Sequence, residues 1–220
     1  MGCPLIIIGA GGHGAEIAAY ALEMGLPLVG VIDDGKPKGA WQRSQIIGGM
    51  NDLPAFCQGR SEVHFITAFG SNDLRRKIVF KIAGLGLSNL KPFTLQHRSA
   101  WTGVDVQIGE GTLLSPNVVA TTRVRIGRHV ILNLNSSVSH DCQIGDFVNI
   151  NPAATVCGFV TVGDGSFIGA GAVVKDRIKI GRGVTVGAGA VVIRDLPDGA
   201  TAVGVPARVI KQNPADWVGA

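Results

Sequence analysis

At 220 residues the chain has room for one large domain or two modest ones, and 46% apolar residues with positive mean hydropathy allow a real core. Thirty-two glycines against only 5% aromatics point to a tightly repeated β-structure of small side chains. The formal charge of +4 is scattered without a Lys/Arg block, which excludes a nucleic-acid footprint, and no apolar run reaches the ~18 residues of a membrane span.

Cys3, Cys57, Cys142 and Cys157 form neither a CxxC pair nor a zinc spacing, so a reducing compartment is expected. The opening MGCPLIIIGAGG has no basic n-region or small-residue cleavage site, and MGCPLI lacks the Ser/Thr of a myristoylation signal. A cytoplasmic protein is expected.

The first ~90 residues alternate strand and helix patterns. PLIIIGAGGHGAEIAAYALEMG reads as a buried strand, a glycine turn and a helix, and LVGVIDD as a second strand ending in two aspartates. GGMNDLPAFC reads as a turn and short helix, VHFITAFGS as a third strand, NDLRRKIVFKIAGLG as an amphipathic helix and NLKPF as a fourth strand. The expectation is a Rossmann-like βαβαβ domain over 1–92 with a small parallel sheet, followed by a second domain over 93–220.

Within the first domain, Gly9-Ala10-Gly11-Gly12-His13-Gly14 is a GxGxxG between a strand and a helix. Such glycines let backbone N–H groups at a helix N-terminus approach a phosphate. Asp33, ~20 residues on, has the position that hydrogen-bonds a ribose or sugar. An NAD-dependent dehydrogenase is the competing reading, but the chain has no second mononucleotide half for a nicotinamide.

From residue 102 the period changes. Counting in sixes from Ile108 to Val192, every position is Ile, Leu or Val except Ala120. Four residues after each of the first fourteen comes a second column of Thr, Val, Ser, Cys, Ala or Ile with no charge in it. This is the hexapeptide signature of a parallel β-helix, three hexapeptides making one coil of 18 residues. Gly109, Gly127, Gly145, Gly163 and Gly181 recur at that larger spacing, as expected of a corner with unusual backbone angles. Six-residue periodicity and abundant glycine exclude a coiled coil or membrane segment.

In SSVSHDCQIG, Val138 fills the inward column, so His140 and Asp141 fall on the outside and Cys142 in the small inward column. One coil on from His140 is Gly158, with Thr122 one coil below and Asp176 beyond Gly158. Neighbouring coils lie ~4.8 Å apart, so the histidine stacks against a residue without a side chain. A histidine tuned by a carboxylate can take a proton from an amine, and a nearby backbone N–H can stabilise an oxyanion. A solvated polar corner is the plain alternative. A γ-type carbonic anhydrase would need three zinc-binding histidines, and only His129 and His140 lie in the repeat.

Three features resemble a known group, the hexapeptide acyltransferases with a left-handed β-helix: the repeat from 104 to 193, the segment VVIRDLPDGATAVGVPARVI, and the front domain opening IIIGAGGHG. Together they resemble the subgroup of bacterial nucleotide-sugar 4-amino N-acetyltransferases and sialic-acid O-acetyltransferases. The resemblance implies acetyl-CoA as cosubstrate, no metal, and a homotrimer with active sites between subunits. It implies His140 as general base and Asp141 as its tuner, with Gly158 N–H near the acetyl group. Asn149 stands where some members carry a second histidine near the thioester, so His140 would transfer the proton alone. Ala170 and Ala188 would line a pantetheine channel, and Gly204 and Pro206 would meet the adenine end of CoA or cap the β-helix. Gly11, Gly12 and His13 would lie at the diphosphate or sugar of a UDP-type substrate, with Asp33, Asp34, Ala68, Gly70 and Ser71 around it. Many members have Asn in place of Ser71, and His13 is alternatively a helix residue without a ligand.

The expected activity is acetylation of the 4-amino group of a nucleotide-linked 4-amino-4,6-dideoxy sugar, feeding glycan, lipopolysaccharide or capsule assembly. O-acetylation of a sialic acid and a non-catalytic nucleotide-sugar-binding scaffold are the alternatives.

Overall fold

The computed structural model describes residues 3–214. The chain divides into two compact units: one runs up to Gly70 and includes Leu74–Thr94, the other takes in Ser71–Asp73 and the residues from Leu95 onward.

The first unit is a Rossmann-like sheet. Its strands β1 (Leu5–Ile8), β2 (Leu28–Ile32), β3 (Gly39–Trp41), β4 (Ser44–Gly48), β5 (Val63–Thr67) and β6 (Leu90–Pro92) lie in the order β3-β4-β2-β1-β5-β6. Helices α1 (Gly12–Glu23), α2 (Leu53–Cys57) and α3 (Asn72–Gly84) connect them. β1 is LIII, buried along its whole length, as expected of a central parallel strand covered on both faces. The pattern of the sequence does not reveal β3 and β4. KGAWQRSQIIGG pairs antiparallel around Gln42, whose φ is 50°, and β4 then pairs parallel with β2. Its alternation is short and interrupted by polar residues, so the period-2 signal is weak.

The second unit is a left-handed parallel β-helix with three faces of two-residue strands. The first face runs from Leu95–Gln96 to Thr185–Val186, the second from Trp101–Thr102 to Val191–Val192, and the third from Gln107–Ile108 to Lys179–Ile180. Register holds at eighteen residues, as in Ser137↔Thr155 and Val138↔Val156. The inward columns make one continuous core that includes Leu114, Val138, Cys142, Val148, Ile168 and Val186. Polar residues in the small column bond the backbone of the next coil: Thr112 Oγ1 donates to Gly127 O at 2.9 Å and Ser166 Oγ to Gly181 O at 2.8 Å.

The corners correct one expectation. Gly109, Gly127, Gly145, Gly163 and Gly181 are absent from the positive-φ positions; they are needed for close approach. A Cβ on Gly163 would lie 2.7 Å from Arg182 N and Gly181 C. The left-handed conformation belongs instead to another column that repeats every six residues from Asp105 to Gly189 without a break. It is filled by glycine at Gly111, Gly165, Gly171, Gly183 and Gly189, and elsewhere by residues as different as Asn117, Arg123, Asp141, Phe147 and Phe159. Left-handed φ costs a side-chain-bearing residue about 1–3 kcal/mol, so the coil's hydrogen bonds and packing impose the corner on whatever residue stands there.

The last coil is closed by Ala200–Val203, which pairs parallel with Thr185–Val186 on the first face. Arg208–Gln212 then folds back antiparallel on it and covers the exposed edge.

Candidate active site

His140 stands at the corner between the second and third faces, between strands Ser137–Val138 and Gln143–Ile144. Its side chain is 48% exposed, and Nδ1 lies 2.8 Å from Asp141 Oδ2. An ionised carboxylate can only accept, so Nδ1 is the donor, and in the neutral ring the lone pair is on Nε2. Arg123, one coil below, donates to Asp141 Oδ1 from Nε at 2.7 Å and to Oδ2 from Nη2 at 3.0 Å. The Arg123 and His140 hydrogen bonds bring the Asp141 carboxyl down to about 2, so it is charged throughout the neutral range.

Gly158 lies against the imidazole. A Cβ there would be 2.6 Å from His140 Cε1 and 2.9 Å from Nε2. At the corner between the third and first faces, aspartates cap the equivalent N–H groups: Asp146 Oδ1 accepts from Arg128 N and Asp164 Oδ1 from Asp146 N, both at 2.8 Å. Gly158 N–H has no such acceptor among the described residues. Phe159 meets the ring edge-on with centroids 5.2 Å apart, and the Arg177 guanidinium sits 4.5 Å from the Phe159 centroid. Sequence reasoning missed Arg123, Phe159 and Arg177, although counting by eighteen from Asp141 reaches all three. Cys142 is fully buried, and burial pushes its thiol up to about 11, which removes it as a nucleophile.

Ala170, Ala188 and Gly204 gather at a different corner, between the first and second faces, and all three are exposed. Gly204 has φ 97°, and its carbonyl accepts from Val191 N at 3.0 Å. Pro206 is exposed just beyond it. The second face therefore lies between this column and the His140 corner. Asn149 sits on the first face and is 1% exposed, so it is not at the His140 corner.

In the first unit, Gly9 takes φ 109° at the end of β1, and a Cβ on Gly14 would lie 2.2 Å from Gly9 O. Gly11 and Gly12 are exposed, and a Cβ on either would have nothing within 4 Å, which leaves the turn open above α1. No side chain caps that helix. Asp33 spends both oxygens on backbone, accepting from Ala10 N at 2.7 Å and Gly35 N at 2.9 Å, so its first role is to hold the glycine turn. Asp34 accepts from Met50 N at 2.7 Å and lies 3.8 Å from Lys81 Nζ. Both aspartates line a cleft of about 200 Å³ with Gly9, Met50, Phe69 and Ile78.

His13 Nδ1 lies 3.1 Å from Glu16 Oε2, and buried Nε2 has no protein partner. Burial lowers its pKa despite Glu16, and the charge of Arg75 pushes the same way, so the ring is neutral at pH 7. Arg75 itself is buried and donates to Phe69 O at 2.8 Å; sequence reasoning did not single it out. Ala68 is buried and Gly70 exposed after β5, whereas Ser71 groups with the second unit.

No helix among the described residues is long and apolar enough to cross a membrane. The PglD N-terminal domain family matches residues 4–82, and the bacterial transferase hexapeptide (six repeats) family matches 141–176 and 159–194. The acetyltransferase domain of PglB from Neisseria gonorrhoeae is 33% identical with a TM-score of 0.87, over 95% of this chain and 100% of that one. PerB from Caulobacter crescentus, in complex with CoA and GDP-perosamine, is 31% identical with a TM-score of 0.88, over 96% and 98%. WeeI from Acinetobacter baumannii is 30% identical with a TM-score of 0.84, over 95% and 100%. A curated relative, an uncharacterised protein of Acanthamoeba polyphaga mimivirus, is 30% identical over 105 residues, which is 48% of this chain but only 20% of that protein's length. The chain belongs to the hexapeptide-repeat, left-handed β-helix acyltransferases, in the subgroup of the bacterial nucleotide-sugar 4-amino N-acetyltransferases and sialic-acid O-acetyltransferases.

Proposed function

We propose that this acyltransferase moves the acetyl group of acetyl-CoA to the 4-amino group of a nucleotide-linked 4-amino-4,6-dideoxy sugar. The observation that carries the reading is His140, oriented through Nδ1 by Asp141 with Nε2 left as the lone-pair side. The sugar amine attacks the thioester carbonyl, forming the C–N bond. His140 Nε2 accepts the amine proton as the tetrahedral oxyanion forms, and Gly158 N–H hydrogen-bonds that oxyanion. Collapse breaks the C–S bond, and the imidazolium returns its proton to the departing CoA thiolate. No metal enters this sequence.

We assign the nucleotide end to the open turn at Gly11 and Gly12, with neutral His13 presenting Nε2 as an acceptor and Asp34, Ala68, Gly70 and Ser71 around it. Asp33 acts there mainly by fixing the turn. PerB holds a GDP-linked amino sugar, so a guanine nucleotide joins the UDP-type substrate as a candidate. Ala170, Ala188, Gly204 and Pro206 form the exposed column assigned to the pantetheine and adenine end of CoA, and Asn149 stays a contact of lower rank because it is buried.

The homotrimer is part of the same proposal. The outer positions of the second face are Val119, Ser137, Thr155, Val173 and Val191, all half-buried, with Trp101 57% exposed beside them. That small-residue face separates the His140 corner from the CoA column, which favours packing between copies around it. Acetyl-CoA and nucleotide sugars as substrates make the cytoplasm the expected location, with glycan assembly consuming the product.

The test is a thiol-release assay with acetyl-CoA and a panel of nucleotide-linked amino sugars. Release with a 4-amino sugar supports the proposal. Release only with hydroxyl acceptors moves the activity to O-acetylation, and no release with any acceptor leaves a binding scaffold.

A further inference from the structure

Among the described residues, one trio of His, Cys and carboxylate groups brings its ligand atoms within 4.8 Å of one another: Cys3, Glu62 and His64. It lies where β1 and β5 begin, at the end of the sheet opposite the glycine turn. The pairing Leu5↔His64 sets Cys3 beside Glu62, and His64 N donates to Pro4 O at 2.8 Å, so backbone register holds all three side chains together.

We propose that Cys3, Glu62 and His64 form a site for one zinc-like divalent ion, separate from the acyl-transfer chemistry. Glu62 Oε1 lies 3.4 Å from Cys3 Sγ and 2.9 Å from His64 Nε2. Tetrahedral zinc with ordinary bond lengths would set these separations at about 3.6 Å for S···O and about 3.4 Å for N···O. The first already fits, and the second needs His64 and Glu62 to part by about 0.5 Å, within the reach of side-chain rotation. One thiolate, one imidazole and one carboxylate are a zinc ligand set; magnesium and calcium take oxygen ligands. Three protein ligands leave the fourth position to water. The His64 ring is further oriented by stacking on Phe93, with centroids 5.5 Å apart at 29°.

Binding exchanges protons for metal. The Cys3 thiol releases its proton to solvent, and the imidazole must hold its proton on Nδ1 so that Nε2 can bind the ion. All three side chains are half-buried, so the ion needs no opening of the fold to enter. Once bound, it ties the segment entering β1 to the start of β5.

The test uses the full chain, stripped of metal, titrated with Zn²⁺ by calorimetry and with Co²⁺ as a spectroscopic probe. Zn²⁺ binding should saturate at one ion per chain, and the Co²⁺ form should show a thiolate-to-metal charge-transfer band with the intense visible absorption of four-coordinate cobalt. Cys3→Ser should abolish the charge-transfer band. Glu62→Gln and His64→Gln should each weaken Zn²⁺ binding by about tenfold or more. Added Zn²⁺ should raise the Tm of the wild-type chain and not of Cys3→Ser, with metal-free Tm and circular dichroism alike in the two. Absence of saturable binding, or binding and cobalt spectra unchanged in Cys3→Ser and His64→Gln, would overturn the proposal.

Discussion

Arg123 and Asp141, eighteen residues apart in sequence, face each other across one coil in a two-bonded ion pair at 2.7 and 3.0 Å. The same carboxylate holds Nδ1 of His140 at 2.8 Å, so Arg123 positions the proposed base through an intermediary. Arg123→Met should lower kcat roughly tenfold, about 1.4 kcal/mol of transition-state stabilisation, with the KM for acetyl-CoA little changed. Lysine cannot reproduce the planar fork, so Arg123→Lys should recover only part of the loss. Steady-state kinetics with both variants checks this, and unchanged kcat in Arg123→Met would remove its positioning role.

His140→Ala should cost about 10²–10⁴ in kcat, the usual contribution of a positioned general base. At 48% side-chain exposure the residue contributes little packing, so Tm should remain within a few degrees of wild type. Full kcat in this variant would refute the assignment of the base.

Gly158→Ala tests the room beside the imidazole. The backbone there is not in the left-handed region, but the new Cβ would meet His140 at 2.6 Å. The exposed ring must swing away from Asp141, so the expected result is a fall in kcat of about 10² with the fold kept. Combined with Asp141→Asn, the two losses should fall short of additive, because both changes release the same ring.

The charge on Asp141 gives a stability signature. Its folded-state carboxyl is lowered to about 2, so the stabilisation from its partners is complete above the unfolded carboxyl pKa of about 3.9. It is lost as pH falls through that range toward 2. The Tm difference between wild type and Arg123→Met should therefore shrink as pH falls below about 4. Thermal melts from about pH 5 down to about pH 2 check it; a difference that stays constant through that range would contradict the pairing.

The two glycine columns of the β-helix should respond differently to mutation. Gly171, at φ 66° with open space around it, should accept asparagine at a cost of about 1 kcal/mol or less, as Asn117 and Asn135 stand at sister corners. Gly163→Ala forces a Cβ to within 2.7 Å of backbone and should cost about 1–3 kcal/mol. Denaturant unfolding of the two variants separates them.

The β-helix was legible because its inward columns repeat at every sixth residue, with Ala120 the lone small residue in the aliphatic one. The glycine columns were misread because sequence shows where glycine recurs but not whether φ or proximity requires it. Strands β3 and β4 were missed because an edge hairpin of short, mixed alternation has little signal of its own. At the His140 corner, Gly158 followed from the period, whereas Arg123, Phe159 and Arg177 look like ordinary surface residues until the coil stacks them. Asp33 adds a role that its position alone did not reveal: each of its oxygens accepts one backbone N–H, from Ala10 and Gly35, which fixes the glycine turn.

Because every corner from Asp105 to Gly189 adopts the same backbone turn whatever its side chain, each edge behaves as a rack with fixed slots. Chain length can vary by whole coils before Thr122 or after Arg177 without disturbing the slots that hold Arg123, His140, Asp141 and Gly158. Between Arg123 and Gly158 a single inserted or deleted residue would carry the base away from its partners, so that stretch must keep its length for the corner to assemble.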